Sequence, residues 1–152
     1  RIHPGSMSAK LGSRLAVLFD AIESLVRNGC RNVLVLNGHG GNHRPVEGVM
    51  AQWKMYFEHT HPEAGIDFQS FWELGRAKAE AISTTGVPGH ATEYETSMAL
   101  HLFPDSVRQE AMRDQEQEQP LEGTAEKGER LVGLTLDEVT EHIRAMMAGE
   151  NG

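Results

Sequence analysis

This 152-residue sequence has little cysteine, no long apolar run and few basic residues, and each of these features excludes some classes of protein before any motif is considered. Cysteine occurs once, as Cys30, which excludes an internal disulfide framework and a cysteine-based zinc site and favours a reducing, cytoplasmic setting. No uninterrupted apolar run approaches the roughly 20 residues that a membrane-spanning helix needs. Basic side chains number 14 against 22 acidic ones, and this net charge of −8 argues against a nucleic-acid partner, which needs clustered Lys and Arg.

The chain also lacks an initiator methionine and the apolar segment of a signal peptide at Arg1–Gly5. We therefore expect either a processed chain or the later part of a longer protein, and we favour the second interpretation. The length fits one domain, so we predict a single α/β domain over residues 1–152, incomplete at its N-terminus. It should contain an acidic connector at about 105–122 and a C-terminal helix at about 135–148, opened by the capping box Thr135–Glu138.

Hydrophobic periodicity predicts alternating helices and strands in the first half of the chain. An apolar stripe with helical spacing runs from Leu15 to Val26 and ends at Asn28-Gly29, a helix C-cap signal. Val33–Leu36 is apolar at every position, which is typical of a parallel strand covered on both faces. Pro45 is placed to open a second helix, and Gly65–Phe71 alternates as a second strand would. This order is that of an α/β fold.

The segment Asn37–His43 carries three glycines where the first strand ends and a helix begins. Ligands bind at this edge of open α/β sheets, and glycines let the backbone approach them closely. The spacing fails both the dinucleotide fingerprint and the phosphate P-loop, and no nucleophile elbow occurs in the chain. His39 is therefore either a residue presented to a ligand or an ordinary surface histidine, and position alone favours neither.

A second polar cluster lies at Gly89–Met98, before a further apolar helical run. His90 follows Pro88-Gly89 and should occupy a turn, while Glu95 falls in the first turn of the helix. Two imidazoles and a carboxylate suit Zn, Mn or Fe, and a histidine can also exchange a proton near neutral pH. For Glu95, direct metal ligation and helix capping or orientation of a neighbouring ligand are equally open.

Four blocks of this sequence, in the same order, resemble the creatininase (creatinine amidohydrolase) family. The glycine block and the Glu-Thr-Ser block are specific when they occur together, and the four extend over nearly the whole chain. The blocks are His3–Ser8, Asn37–Asn42, His90–Ser97 and Gly123–Gly128.

The resemblance implies a three-layer α/β fold with a mainly parallel sheet flanked by helices. It also implies a homo-oligomeric, metal-dependent amidohydrolase that holds two divalent cations and attacks a non-peptide or unusual C–N bond with a metal-activated water. His39 would be a metal ligand, and His90 would be the catalytic histidine that exchanges a proton with the scissile nitrogen or the water. Glu95 would ligate a metal or take part in catalysis in the same site.

This chain departs from the family pattern in two places. The earlier Glu-x-His segment and Asp, which supply most remaining ligands, are missing, and so are the first strand or strands. We therefore expect the chain to hold metals poorly, and to be unstable or to associate through uncovered edges. Creatininase has Tyr and Glu where this chain has Gly40 and Gly41, so creatinine is not the expected substrate. Gly40, Gly41, Asn42 and Trp72 are predicted to line the substrate pocket.

The leading hypothesis is hydrolysis of a small-molecule amide, formamide or cyclic amide, with divalent cations but no organic cofactor. Relatives with the double glycine include a formamidopyrimidine deformylase and a peptidase that trims the mycofactocin precursor. The alternative is a non-catalytic scaffold or regulatory subunit with the same fold, favoured by the missing ligands. A nucleotide-binding module is a weak third, since both phosphate fingerprints fail on spacing. We expect no nucleic-acid or membrane partner.

Overall fold

The computed structural model describes residues 9–113 and 119–149, so the first resemblance block and part of the acidic connector lie outside the described residues. It is an α/β fold in which helices predominate and two strands form a small parallel sheet, which confirms the predicted class. In neither described range is a helix both long and apolar enough to cross a bilayer. The elements in chain order are α1 (Leu11–Arg27), β1 (Asn32–Asn37), α2 (Gly40–Thr60), β2 (Gly65–Ser70), α3 (Phe71–Leu74), α4 (Arg76–Glu80), α5 (Glu93–Leu102), α6 (Gln109–Met112) and α7 (Ala125–Ala148), with 3-10 turns at Pro104–Ser106 and Gln119–Glu122.

The described residues group into two compact units, divided after Gln69. The first unit contains α1, β1, α2 and β2 up to Gln69, and the second runs over Ser70–Ala148. Each unit has its own apolar core. The first core consists of Ile22, Val26, Val33, Val46, Met50, Phe57, Ala64 and Ile66, and the second of Trp72, Ala79, Val87, Tyr94 and Leu131.

Helix α1 follows the predicted stripe. Ile22 and Val26 are buried in the first core, and Phe19 stacks edge-on against Trp53 of α2, with ring centroids 5.3 Å apart. The helix ends at Asn28, and Gly29 adopts a φ of +94°, which lies in the left-handed region that glycine enters without a Cβ penalty. The predicted C-cap is confirmed.

Strand β1 is covered unevenly on its two faces. Val33 and Val35 belong to the first core, whereas Leu36 on the other face is 46% exposed. The expectation of a strand covered on both faces is therefore wrong for Leu36 in the described part of the chain. The described sheet has two strands, and residues of helices α1 and α2 pack in the same apolar core as residues of the strands.

Helix α2 begins five residues before the predicted start. His39 is its N-cap, and Gly40 is its first residue, so Pro45 lies inside the helix. Pro45 is the sixth residue of α2, beyond the first turn, so it removes the backbone donor that would reach the Gly41 carbonyl. The glycine-rich segment is thus the first turn of a helix and not a loop.

Helix α7 begins ten residues before the predicted capping box at Thr135. The Thr135 hydroxyl donates to the Leu131 carbonyl (2.8 Å), a bond that a mid-helix threonine makes to the preceding turn. The cap is made by Thr124, whose hydroxyl accepts from the Lys127 amide at 3.1 Å. The predicted start at about 135 is wrong, because Thr135 lies within the helix and Thr124 caps its N-terminus.

Candidate functional site

His39 lies two residues after the end of β1 and is exposed at the N-terminus of α2. Its backbone amide donates to the Asn37 side-chain oxygen at 3.0 Å, and the Asn42 side-chain amide lies 3.5 Å from the same oxygen. Asn37 is 6% exposed, so a buried amide group fixes the turn from which the imidazole projects. The backbone around His39 is therefore held in place although the imidazole reaches solvent.

The two glycines after His39 differ in what surrounds them. A Cβ on Gly41 would lie 3.0 Å from Nε2 of His39, whereas a Cβ on Gly40 would meet nothing within 4 Å. The imidazole thus lies over Gly41, and the missing side chain there leaves it room. Gly40 lies beside open space.

A cavity of about 320 Å³ lies in the first unit, next to this turn. Its walls are mostly apolar, and Arg14 and Asn42 join at its rim through a 2.8 Å hydrogen bond from the guanidinium to the side-chain oxygen. Asn42 lines this cavity, whereas Gly40 and Gly41 do not. The substrate-pocket roles of these three residues stay predictions. The lining residues are Leu11, Arg14, Leu15, Leu18, Val35, Leu36, Asn37, Gly38, Asn42, Pro45, Val46 and Phe68.

In the second unit, His90 is exposed in a tight turn before α5. Gly89 must be glycine there, because a Cβ would lie 1.8 Å from the Thr92 hydroxyl oxygen. Ala91 adopts a φ of +56°, a left-handed conformation that costs a non-glycine residue on the order of 1–2 kcal/mol. Such strain in a residue flanking an exposed histidine is typical of functional turns.

Glu95 uses its carboxylate to hold this turn. Oε1 accepts a hydrogen bond from the Gly89 amide at 2.7 Å, and Oε2 accepts from the amide and hydroxyl of Thr92 at 3.1 and 3.2 Å. Thr92 in turn caps α5, which completes a capping box with Glu95. Of the two readings left open by the sequence, this geometry favours the orienting role, since three donors already occupy the carboxylate. Its ligand role stays a prediction.

Sequence reasoning missed Glu93, which is fully buried. Oε2 accepts from the amides of Thr84 and Thr85 at 2.8 and 3.0 Å and from the Thr84 hydroxyl at 3.1 Å. Oε1 accepts from Nζ of Lys127 at 2.6 Å. Burial by itself raises the pKa of Glu93, but the Lys127 ammonium and the Thr84 and Thr85 donors outweigh it and lower the pKa to about 2.

The partner of Glu93 comes from the last resemblance block, for which the sequence suggested no role. Lys127, in the first turn of α7, also donates to the Glu122 carbonyl at 2.9 Å. The Ser97 hydroxyl accepts from the Thr124 amide at 3.2 Å. A Cβ on Gly128 would lie only 2.0 Å from the Ser97 carbonyl oxygen, so α7 crosses α5 at backbone contact. The two blocks therefore bind each other.

Trp72 is 5% exposed and packs in the second core, beside Phe71 with ring centroids 5.2 Å apart. Its indole N–H donates to Glu73 at 3.0 Å. The aromatic ring thus has a packing role in its own unit. A role in a substrate pocket stays a prediction.

The donors present do not fit a divalent metal within either unit. Protein sites for Zn, Mn or Fe need three or more converging His, Cys, Asp or Glu ligands. No group of three such side chains occurs in residues 9–113 or 119–149. His39 belongs to the first unit, and His90 and Glu95 to the second, so neither unit by itself supplies a complete set.

Comparisons with known proteins identify a family and several solved structures that are similar to this chain. A family model described as "Creatininase: Creatinine amidohydrolase" matches residues 1–123. None of the curated proteins matches the chain.

Among solved structures, one of creatinine amidohydrolase (creatininase) is 21% identical with a TM-score of 0.72, covering 93% of this chain and 66% of that one. A glutamate-to-glutamine mutant of creatininase complexed with creatine is 20% identical with a TM-score of 0.79, covering 95% of this chain and 68% of that one. A structure described as creatininase Mn is 20% identical with a TM-score of 0.74, covering 95% and 67%. The chain thus spans about two thirds of the length of the solved proteins it matches, and it shares their fold.

Proposed function

This chain belongs to the creatininase family of metal-dependent amidohydrolases, and from that premise we propose that it hydrolyses a non-peptide or unusual C–N bond. The substrate would be a small amide, formamide or cyclic amide. The observation that carries the proposal is the turn around His90, which exposes an imidazole while Glu95 and a strained Ala91 define its backbone. A group that exchanges protons with a substrate needs this combination of access and fixed position.

The roles proposed for this chain's residues follow from those contacts. His90 exchanges a proton with the scissile nitrogen or the attacking water, because an imidazole changes its charge near neutral pH. Glu95 positions His90 by binding the amides of Gly89 and Thr92, and it is also a proposed metal ligand. His39 is the second proposed ligand, carried by the turn that Asn37 holds.

The proposed metals are two divalent cations, Zn, Mn or Fe, and a solved relative described as creatininase Mn supports a divalent cation. Among the described residues each unit offers too few donors by itself, so the proposed metals need further ligands. We also propose a homo-oligomer in the cytoplasm. The low cysteine count supports the reducing compartment.

The proposed substrate is not creatinine. A relative complexed with creatine supports a small-molecule substrate of the C–N class. Here Gly40 and Gly41 leave the first turn of α2 without side chains, and Gly40 lies beside open space. An acyclic formamide or another small amide would meet no aromatic wall at this turn.

The test compares His90→Ala and His39→Ala with His59→Ala, an exposed histidine at the far end of α2. The chain is loaded with Zn, Mn or Fe, and release of amine or formate is measured over a panel of formamides, cyclic amides and creatinine. We expect turnover to be lost in His90→Ala with the circular dichroism spectrum unchanged, and to persist in His59→Ala. Unchanged turnover in His90→Ala would refute the role of that histidine.

A second candidate is a non-catalytic scaffold or regulatory subunit, favoured by the incomplete donor set in each unit. Metal content per chain, measured by elemental mass spectrometry on untagged protein, separates the two functions. Close to two divalent ions per chain, lost in His39→Ala but retained in His59→Ala, supports the hydrolase. No bound metal and no turnover in any condition support the scaffold.

A further inference from the structure

The segment from Thr84 to Thr92 carries His90 and is bound at both ends by carboxylates from the first turn of α5. Glu93 binds the amides of Thr84 and Thr85 at one end, and Glu95 binds those of Gly89 and Thr92 at the other. The two acids are only two residues apart in sequence. They therefore close the segment into a loop with His90 exposed near its second anchor.

Glu93 could not serve as an anchor without Lys127. A fully buried carboxylate is costly unless it is paired, and Nζ of Lys127, at 2.6 Å, is the only cation that the described structure shows on it. Lys127 is itself fixed by the Glu122 carbonyl and by its place in the first turn of α7. Its side chain is 28% exposed, so it reaches Glu93 from the edge of the second core.

Stability alone does not account for such a pair, since buried ion pairs can often be replaced by apolar residues at no loss of stability. The pair nevertheless connects the C-terminal block to the loop that carries His90. A reaction can slow by about 100-fold when a catalytic group is displaced by about 1 Å. We propose that the Glu93–Lys127 pair is a positioning device for His90, acting through the anchored amides of Thr84 and Thr85. This inference rests on the proposed function of His90.

The test compares Lys127→Met, which keeps the aliphatic stem without the charge, with Lys127→Arg, which keeps the charge. The matched control is Lys78→Met, because Lys78 pairs with Glu138 in the same unit and forms no hydrogen bond or ion pair with the loop in the described part of the chain. Hydrogen exchange followed by mass spectrometry reports the loop peptide 84–92 separately from α5 and α7. The cross-peak of the His90 imidazole in histidine-labelled protein reports the environment of that ring.

We expect Lys127→Met to speed exchange of the loop peptide at least tenfold while α5 and α7 keep their protection. The His90 cross-peak should move toward its position in a flexible peptide, and Lys127→Arg should restore both readouts. Lys78→Met should change neither. Unchanged exchange and an unchanged His90 signal in Lys127→Met would overturn the proposal, and so would an equal loss of protection throughout α5 and α7.

Turnover supplies the readout that separates this inference from the proposed function. In a chain that hydrolyses an amide, Lys127→Met should lower kcat about 100-fold with KM within twofold, and Lys127→Arg should recover most of it. An unchanged kcat would overturn the positioning role while leaving the hydrolase intact. If the unaltered chain hydrolyses nothing, the proposed function fails, and the exchange and His90 signals still decide whether the pair holds the loop.

Discussion

Gly128 offers the sharpest test of how α5 and α7 are joined. In Gly128→Ala the new methyl would lie 2.0 Å from the Ser97 carbonyl oxygen and 2.8 Å from Cβ of His101. Ordinary contacts begin at 3.4 Å, so the two helices must separate by about 3.4 − 2.0 = 1.4 Å. Backbone oxygen cannot rotate out of the way, and the strain falls on the core around Tyr94 and Leu131, both 1% exposed.

The expected cost is at the upper end of the range for overpacking, about 3 kcal/mol, less about 1 kcal/mol gained because alanine favours a helix over glycine. Gly128→Ala should therefore lose about 2 kcal/mol of unfolding free energy. Gly133→Ala is the matched control in the same helix, since a Cβ there meets nothing within 4 Å. That variant should gain up to about 1 kcal/mol, so the two should differ by about 3 kcal/mol.

The assay is urea unfolding followed by the fluorescence of Trp72, which is buried in the second core. A Trp53→Phe background removes the other tryptophan, which belongs to the first unit. The midpoint of Gly128→Ala should fall and that of Gly133→Ala should rise, with similar slopes. Equal midpoints for the two variants would refute the backbone contact between α5 and α7.

Three further predictions concern pH, the His39 turn and assembly. The pKa of Glu93 falls from 4.5 to about 2 in the folded chain, so its contribution, about 2.5 × 1.36 or roughly 3 kcal/mol, is complete above pH 4.5 and disappears as the pH falls toward 2. Urea midpoints measured from pH 6 to 2 should therefore fall less steeply in Glu93→Gln, and parallel profiles would contradict this assignment. Gly41→Ala should displace the His39 imidazole by a few tenths of an ångström and weaken metal uptake, whereas Gly40→Ala should not; equal uptake in both variants would disprove the packing of His39 on Gly41. Because Leu36 is 46% exposed on β1, the chain should associate or unfold at low denaturant, and light scattering that finds a stable monomer would argue against an uncovered sheet.

Much of the fold was predictable because its signals are local. The stripe of α1 and the Asn28-Gly29 cap lie within a few turns of one helix, and the strand runs lie between turn residues. The positions of His39 and His90 in turns, each just before a helix, were also predicted from neighbouring glycine and proline. Their roles rest on the family resemblance and stay predictions.

Errors arose where local chemistry was ambiguous. Thr135 has Glu138 at the third following position, as a capping box requires, whereas Thr124 has Lys127 there, yet Thr124 is the residue that begins α7. Pro45 indicated a helix start at residue 45, but α2 begins at Gly40, directly after its N-cap His39. In both cases the local pattern indicated a start that lies within the helix.

By itself the sequence determined the α/β class, the main helix and strand runs, and the family through its linked blocks, since periodicity and motif order are properties of the chain alone. Tertiary structure decided which of two similar acids is buried. Glu93 and Glu95 share one helical turn, yet Glu93 binds Lys127, 34 residues away, while Glu95 binds its own turn. A carboxylate's surroundings depend on which distant segments fold against it, and no local pattern encodes that choice.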